Sequence, residues 1–338
     1  MADLKKIQAE RERAVLRAFR DSVQSIRDQA TIQEIVNLLN VGNVDGVVDL
    51  LQLDASAFQG VTEAIRQSYI TGGITGAAQI GVIPVATGTL VARFNIRLPR
   101  AERWLADMSS RMVVEVFQEQ TKMVRSVLTD ALAKGANPRT SALDLVGRLD
   151  RQTRKRTGGF IGMTEQQSQW SVSARQELQD LDPNYLTREL RDRRFDASFK
   201  RALRDGTPMR KSQIDAAVTQ MQNRTLRYRG EVISRTESIN ALRAGQNESV
   251  AQAIETGEVE QGDTTKEWDS SGDVRTRPTH AIANGQKRDF DQPFSVGGSA
   301  LMYPGDPNGP ASETIQCRCI QIVEIDFGAR VARVEGFG

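Results

Sequence analysis

S-E-T-I-Q-C-R-C-I-Q-I-V-E-I, residues 312–325, decides how this chain is read. The run reads as a β-strand, and it holds the only two cysteines of the sequence, Cys317 and Cys319. Side chains two apart on a strand face the same way, so both sulfurs are expected on one side and Arg318 on the other. A strand of this kind closing a chain whose first 150 residues read as helix makes the fold class α+β: a predominantly helical N-terminal region with a small C-terminal α+β module.

The segment upstream of the strand has the same character. T-K-E-W-D, residues 265–269, reads as a short strand ending near Trp268, followed by a turn at S-S-G-D and a basic loop, V-R-T-R-P-T-H, closing on His280, the only histidine. A turn is expected at Asn284 and Gly285, then the pair Phe290 and Phe294 and the loop Y-P-G-D-P-N-G-P. Further upstream, E-V-I-S-R-T-E-S-I-N-A-L-R and the residues after it read as the helix that leads into this module.

The remaining chain is long enough for two or three domains at 338 residues. Its 39% apolar and 26% charged residues are those of a globular chain rich in helix, and they set disorder aside. Residues 2–30 place Leu4, Ile7, Val15, Leu16, Phe19, Val23 and Ile26 at mostly three- and four-residue spacings, an amphipathic helix. A second helix opens at Thr31 as N-cap, and a third runs from Asp54 to a close at Gly72 and Gly73. The glycine-rich stretch 71–90 is expected as a loop or irregular crossover. A long helix follows from Pro99 to Lys134, with Gly135 after its last turn. The expected segments are therefore 1–150, a helical N-terminal domain; 151–230, a basic helical middle; and 231–338, the C-terminal α+β domain.

Net charge is near neutral at +2, so only local charge can point to a polyanionic partner. Residues 151–230 carry seventeen basic against nine acidic residues. Two readings of this excess stand side by side. One is a solvated face with ion pairs to Asp192, Asp196 and Asp205. The other is a surface for nucleic acid or an acidic protein, formed by Arg191, Arg193, Arg194, Lys200, Arg201, Arg204, Arg224, Arg227 and Arg229. The charged N-terminus lacks the apolar core of a secretory leader, and Tyr69–Val91 is long enough to span a bilayer but broken by Gly, Thr, Gln and Pro. No membrane partner is expected, and with two cysteines no disulfide framework.

The ordered set R-T-E (235–237), Asn240, W-D (268–269), D-V-R-T-R-P-T-H (273–280), N-G (284–285), P-G-D-P (304–307) and Q-C-R-C (316–319) resembles the C-terminal domain of the phage Mu protein F family, the minor head or head morphogenesis proteins of tailed phages. The resemblance covers residues 231–325. Asn284 stands where the family pattern has an acidic residue before Gly, a substitution within the same turn chemistry. The resemblance implies a non-enzymatic virion component, made in the host cytoplasm and built into the head interior or portal vertex. It implies portal protein and capsid or scaffold proteins as partners, phage DNA as a further one, and roles in head assembly and in DNA packaging or ejection.

The residues themselves leave other chemistry open. Cys317, Cys319 and His280 with a carboxylate, Asp273 or Glu313, have the donor types of a zinc site, although C-x-C is tighter than the usual ligand spacing. A cysteine nucleophile with His280 as base and Asp273 or Asp269 as orienter would make a metal- or thiol-dependent enzyme instead. Against both stands a structural cluster: the cysteines as small buried hydrophobes with Trp268, Asp273, Arg275 and His280 around them and Arg235 and Glu237 supplying ion pairs. The expected cofactor content is none beyond a structural zinc.

Overall fold

The computed structural model describes residues 4–53, 55–85 and 88–328; Asp54, at which the third helix was expected to open, and the tail after Gly328 lie outside them. The chain is α+β, as the sequence implies. Its elements begin with α1 (Leu4–Gln29), α2 (Ile32–Asn40), α3 (Val44–Leu50) and α4 (Gln59–Ile80), followed by the hairpin β1 (Val82–Val85) and β2 (Gly88–Val91). Then come α5 (Pro99–Ala133), α6 (Pro138–Val146), the two-residue strands β3 (Arg148–Leu149) and β4 (Arg156–Thr157), α7 (Glu165–Asp180), α8 (Asp196–Asp205) and α9 (Lys211–Glu255). The last part contains β5 (Thr264–Asp269), α10 (Pro278–Ala283), β6 (Lys287–Asp289), β7 (Phe294–Val296), β8 (Ser299–Leu301), α11 (Ala311–Thr314) and β9 (Ile320–Ile325).

Two compact units emerge, and neither is a consecutive stretch. One takes residues up to Arg17, Val61–Ser110 and the chain from Val232; the other takes Ala18–Gly60 and Arg111–Glu231. The division falls inside α1, α4, α5 and α9, and only its break near residue 231 coincides with a boundary of the consecutive segments 1–150, 151–230 and 231–338. Helices that contribute residues to two cores carry no Gly/Pro-rich linker to mark the change, which is why composition does not reveal it.

The expected loop at 71–90 is instead the second half of α4 and a hairpin. Gly72, Gly73 and Gly76 lie inside the helix, where each would ordinarily cost about 1 kcal/mol relative to Ala. Packing against the second half of α9 explains Gly72 and Gly76, and the ring of Phe94 lies where a Cβ on Gly73 would stand. A Cβ on Gly72 would collide with the Leu242 carbonyl, one on Gly76 would stand 2.9 Å from the Gln246 carbonyl, and one on Gly245 would collide with the Tyr69 carbonyl. The glycines are thus where two backbones meet. Tyr69 itself is buried and stacks on Trp104, ring centroids 4.4 Å apart. Among the described residues no helix is long and apolar enough to cross a membrane.

In the other unit α1 buries Phe19, Val23 and Ile26, the stripe expected from their spacing, with Phe19 stacked on Phe58. The α5 helix starts at Pro99 as expected and closes at Gly135 in the left-handed conformation, φ +65°. A second cluster gathers Leu178, Tyr185, Phe199 and Met221 from α7, α8 and α9.

The C-terminal sheet has the order β6-β5-β9, antiparallel throughout, with Trp268 opposite Gln321 and Asp269 opposite Ile320. β5 alternates, burying Thr264, Lys266 and Trp268 on one face. The strand read across residues 312–325 is shorter than expected: it begins at Ile320, and Cys317–Cys319 is an extended approach to it, entered from α11 through Gln316 at φ +56°.

Candidate functional site

Four short elements bring the site together. β5 ends by placing Trp268, fully buried, under the sheet. Pro278 opens α10, its fixed φ suited to the first helical turn, so His280 is buried on a helix and not on the loop the sequence suggests. Its ring meets Trp268 edge-on, centroids 5.4 Å apart. α11 contributes Glu313, and the approach to β9 contributes the cysteines, each only 2% exposed. His280 Nδ1 lies 3.3 Å from Cys319 Sγ and 3.7 Å from Cys317 Sγ, so the two sulfurs do share a side as their spacing requires.

The other ring nitrogen is held as well. His280 Nε2 is 3.0 Å from Glu313 Oε2, an oxygen that also accepts from Thr279 Oγ1 at 2.8 Å. The tautomer that gives its Nε2 proton to Glu313 turns the Nδ1 lone pair toward the sulfurs. Of the two thiols, Cys319 ionises more easily than a free cysteine, chiefly through the hydrogen bond from Cys317, while burial works against it. Cys317, its proton engaged by Cys319 and its side chain buried, is pushed up. Arg243 on α9, which sequence reading missed, is buried, and its charge reaches Cys317, Cys319 and Asp269. Burial pushes its pKa down to about 10, leaving it a cation at neutral pH. Its guanidinium donates to Gln246 Oε1 and to Gln8 Oε1. A lone arginine in the middle of N-A-L-R-A-G-Q carries no sequence signal that it points inward.

Two expected members belong elsewhere. Asp273 turns outward and forms a two-pronged pair with Arg318, which holds its carboxyl well below the usual range. Arg275 is exposed and joins that outer pair. Neither joins the buried cluster; between the two carboxylates weighed from sequence, Glu313 is the one at the histidine. The physical reason lies in the alternation through Cys317, Arg318 and Cys319, which aims Arg318 at the D-V-R turn.

The other ordered motifs converge on this cluster from the helix side. Gln316 N donates to Thr236 Oγ1 at 3.0 Å, and Arg235 binds Gln316 Oε1 at 3.0 Å and Glu12 at 2.7 Å. Glu237 is half-buried on the same helix. The Asn240 amide donates to the carbonyls of Gly305 and Thr236, and a Cβ on Gly305 would press on it at 2.6 Å. Asp306 ties its own loop, accepting from the backbone of Met302 and Asn308. Asn284 accepts from Ser270 N, and Gly285, at φ +74°, donates to the Trp268 carbonyl.

The basic stretch is mostly neutralised. Arg194 and Arg224 pair with Asp192, Arg191 with Asp196, Arg204 with Asp205, and Arg227 with Glu231. Burial pushes the pKa of Asp192 up, but the hydrogen bonds from Arg194 outweigh it and hold it low. Arg229 is buried against Glu119 and cannot serve a contact face. Arg193, Lys200 and Arg201 are exposed, as are the paired Arg194, Arg204, Arg224 and Arg227.

Chemically, the cluster has the make-up of a soft metal site and also of a thiol–imidazole–carboxylate relay, Cys319–His280–Glu313. Cys319 is only 2% exposed, which counts against the relay. Residues 194–322 match the family model of the Phage Mu protein F like protein. No curated protein and no solved structure gives a significant match to the chain.

Proposed function

We propose that the protein is a minor, non-enzymatic component of a tailed-phage head that acts in head assembly by binding other head proteins. The match over residues 194–322 carries this reading. It is supported by the way the family-like motifs, scattered over more than eighty residues of sequence, become one set of hydrogen bonds in the fold. Side chains spent on internal bonds are what a structural module needs, and burial of the one thiol–imidazole pair gives an enzyme reading little to work with.

On this reading the portal vertex is the site of assembly, with portal and capsid or scaffold proteins as partners. DNA would be met through phosphate contacts at the exposed Arg193, Lys200 and Arg201. The test is quantitative mass spectrometry of purified heads, together with co-purification of the full chain with the portal protein. Presence at few copies per head, retained with the portal, is the expected result. Absence from heads of the propagating phage would overturn the reading.

A further inference from the structure

Two sulfurs and one imidazole nitrogen meet within 4.8 Å of one another in the C-terminal module. The Nδ1 atom has one lone pair and can accept one S–H, yet both sulfurs lie within reach of it, at 3.3 and 3.7 Å. A tetrahedral ion with Zn–S of about 2.3 Å and Zn–N of about 2.0–2.1 Å sets its sulfur and nitrogen donors about 3.5–3.6 Å apart, between the two observed separations.

The surroundings fit the same ion. Glu313 holds the far nitrogen of His280 at 3.0 Å, the carboxylate–histidine arrangement that fixes ring orientation and ligand basicity in metal sites. Thr279 in turn fixes Glu313. Trp268, Phe294 and Leu301 pack around the cysteines and make the surroundings apolar, which favours soft thiolate ligands over hydrated hard cations.

We propose that His280 Nδ1, Cys317 Sγ and Cys319 Sγ bind one zinc ion, with Glu313 as the residue that positions His280. Among the described residues no fourth His, Cys, Asp or Glu joins the group, so solvent oxygen takes the fourth position. Binding replaces the thiol protons by the cation and releases them to solvent, leaving a dithiolate with a neutral imidazole around a divalent ion. Its role is to fasten the segment before β9 to α10.

The test uses the full chain under reducing conditions. Protein from zinc-supplemented medium is expected to carry one zinc per chain by elemental analysis. Cobalt(II) titration of chelator-stripped protein should give thiolate-to-cobalt charge-transfer bands that saturate at one equivalent. Cys317→Ser with Cys319→Ser should abolish both signals. Glu313→Ala should weaken metal binding about 10-fold or more, with partial recovery in Glu313→Gln. Should the cysteine variant fail to fold, the wild-type titration decides. Substoichiometric zinc together with a folded wild-type protein lacking charge-transfer bands would overturn the site. Unchanged affinity in Glu313→Ala would overturn the positioning role.

Discussion

Arg27 and Arg243 are both buried and both carry pKa values that burial pushes down to about 10, yet their surroundings differ in kind. Arg27, in the unit containing Ala18–Gly60, donates to the carbonyls of Ile161 at 2.6 Å and Gly159 at 3.4 Å, part of a turn whose glycines at 158, 159 and 162 all take positive φ. Arg243 donates to the amide oxygens of Gln246 and Gln8, and its charge faces two thiols and Asp269. The first cation donates to backbone carbonyls of that turn. The second is matched by groups whose charge depends on what the sulfurs carry. One buried arginine therefore serves folding alone, and the other ties folding to the state of the cluster.

The largest expected break in this comparison is Arg27→Met. Losing charged hydrogen bonds to buried carbonyls should cost ~2–3 kcal/mol in urea unfolding, equally with and without chelator. Arg243→Met should cost less, about 1 kcal/mol, because an apolar chain of similar length replaces an ion hydrogen-bonded to neutral amides. Its mark should appear in cobalt affinity, which falls when a cation favouring the thiolates is removed, whereas Arg27→Met leaves that affinity unchanged.

Lys266 sharpens the comparison with a buried cation that titrates. It donates to the Met302 carbonyl at 2.8 Å and lies over Phe290 and Phe294, and burial pushes its pKa down to about 8. A folded pKa below the unfolded one means that the unfolded chain holds the proton longer. Stability of the wild type should thus rise from about pH 8 to about pH 10 relative to Lys266→Met, in paired urea titrations that cancel the cysteines common to both. A flat difference would show the ammonium to be as comfortable inside as in water.

The smallest effect is expected at Asp273→Asn. The pair with Arg318 is exposed, so melting should shift little and zinc content not at all. A loss of zinc there would bring the outer face into the site after all. Asp273 in the folded chain ionises more readily than in the unfolded one, so what it contributes is present above the ordinary carboxylate range and fades as the pH falls below it.

What could be read from sequence follows the physics of each signal. The amphipathic stripe of α1 and the caps of α5 are local, and they appeared where spacing put them. The family-like motifs were legible in order, but the pairing of Asn240 with Gly305 or of Thr236 with Gln316 depends on a fold that brings distant residues together. Glycines at 72, 73 and 76 read as breakers because a glycine in isolation weakens a helix; only the approach of α9 at Gly72 and Gly76, and of Phe94 at Gly73, turns them into a contact surface. A four-residue spacing of Gly72 and Gly76 was the available hint. His280, Cys317 and Cys319 were legible as a donor set. The choice of Glu313 over Asp273 was not, since it rests on which way Arg318 points, and Arg243 was invisible because burial of one arginine in a polar helix leaves no periodic trace.

The state of the sulfurs is the hinge of this comparison, and X-ray absorption at the zinc edge on the full chain reads it directly. Two sulfurs at about 2.3 Å with nitrogen or oxygen at about 2.0–2.1 Å are expected in the first shell. A shell of nitrogen and oxygen alone would contradict it and return the cysteines to the role of small buried hydrophobes.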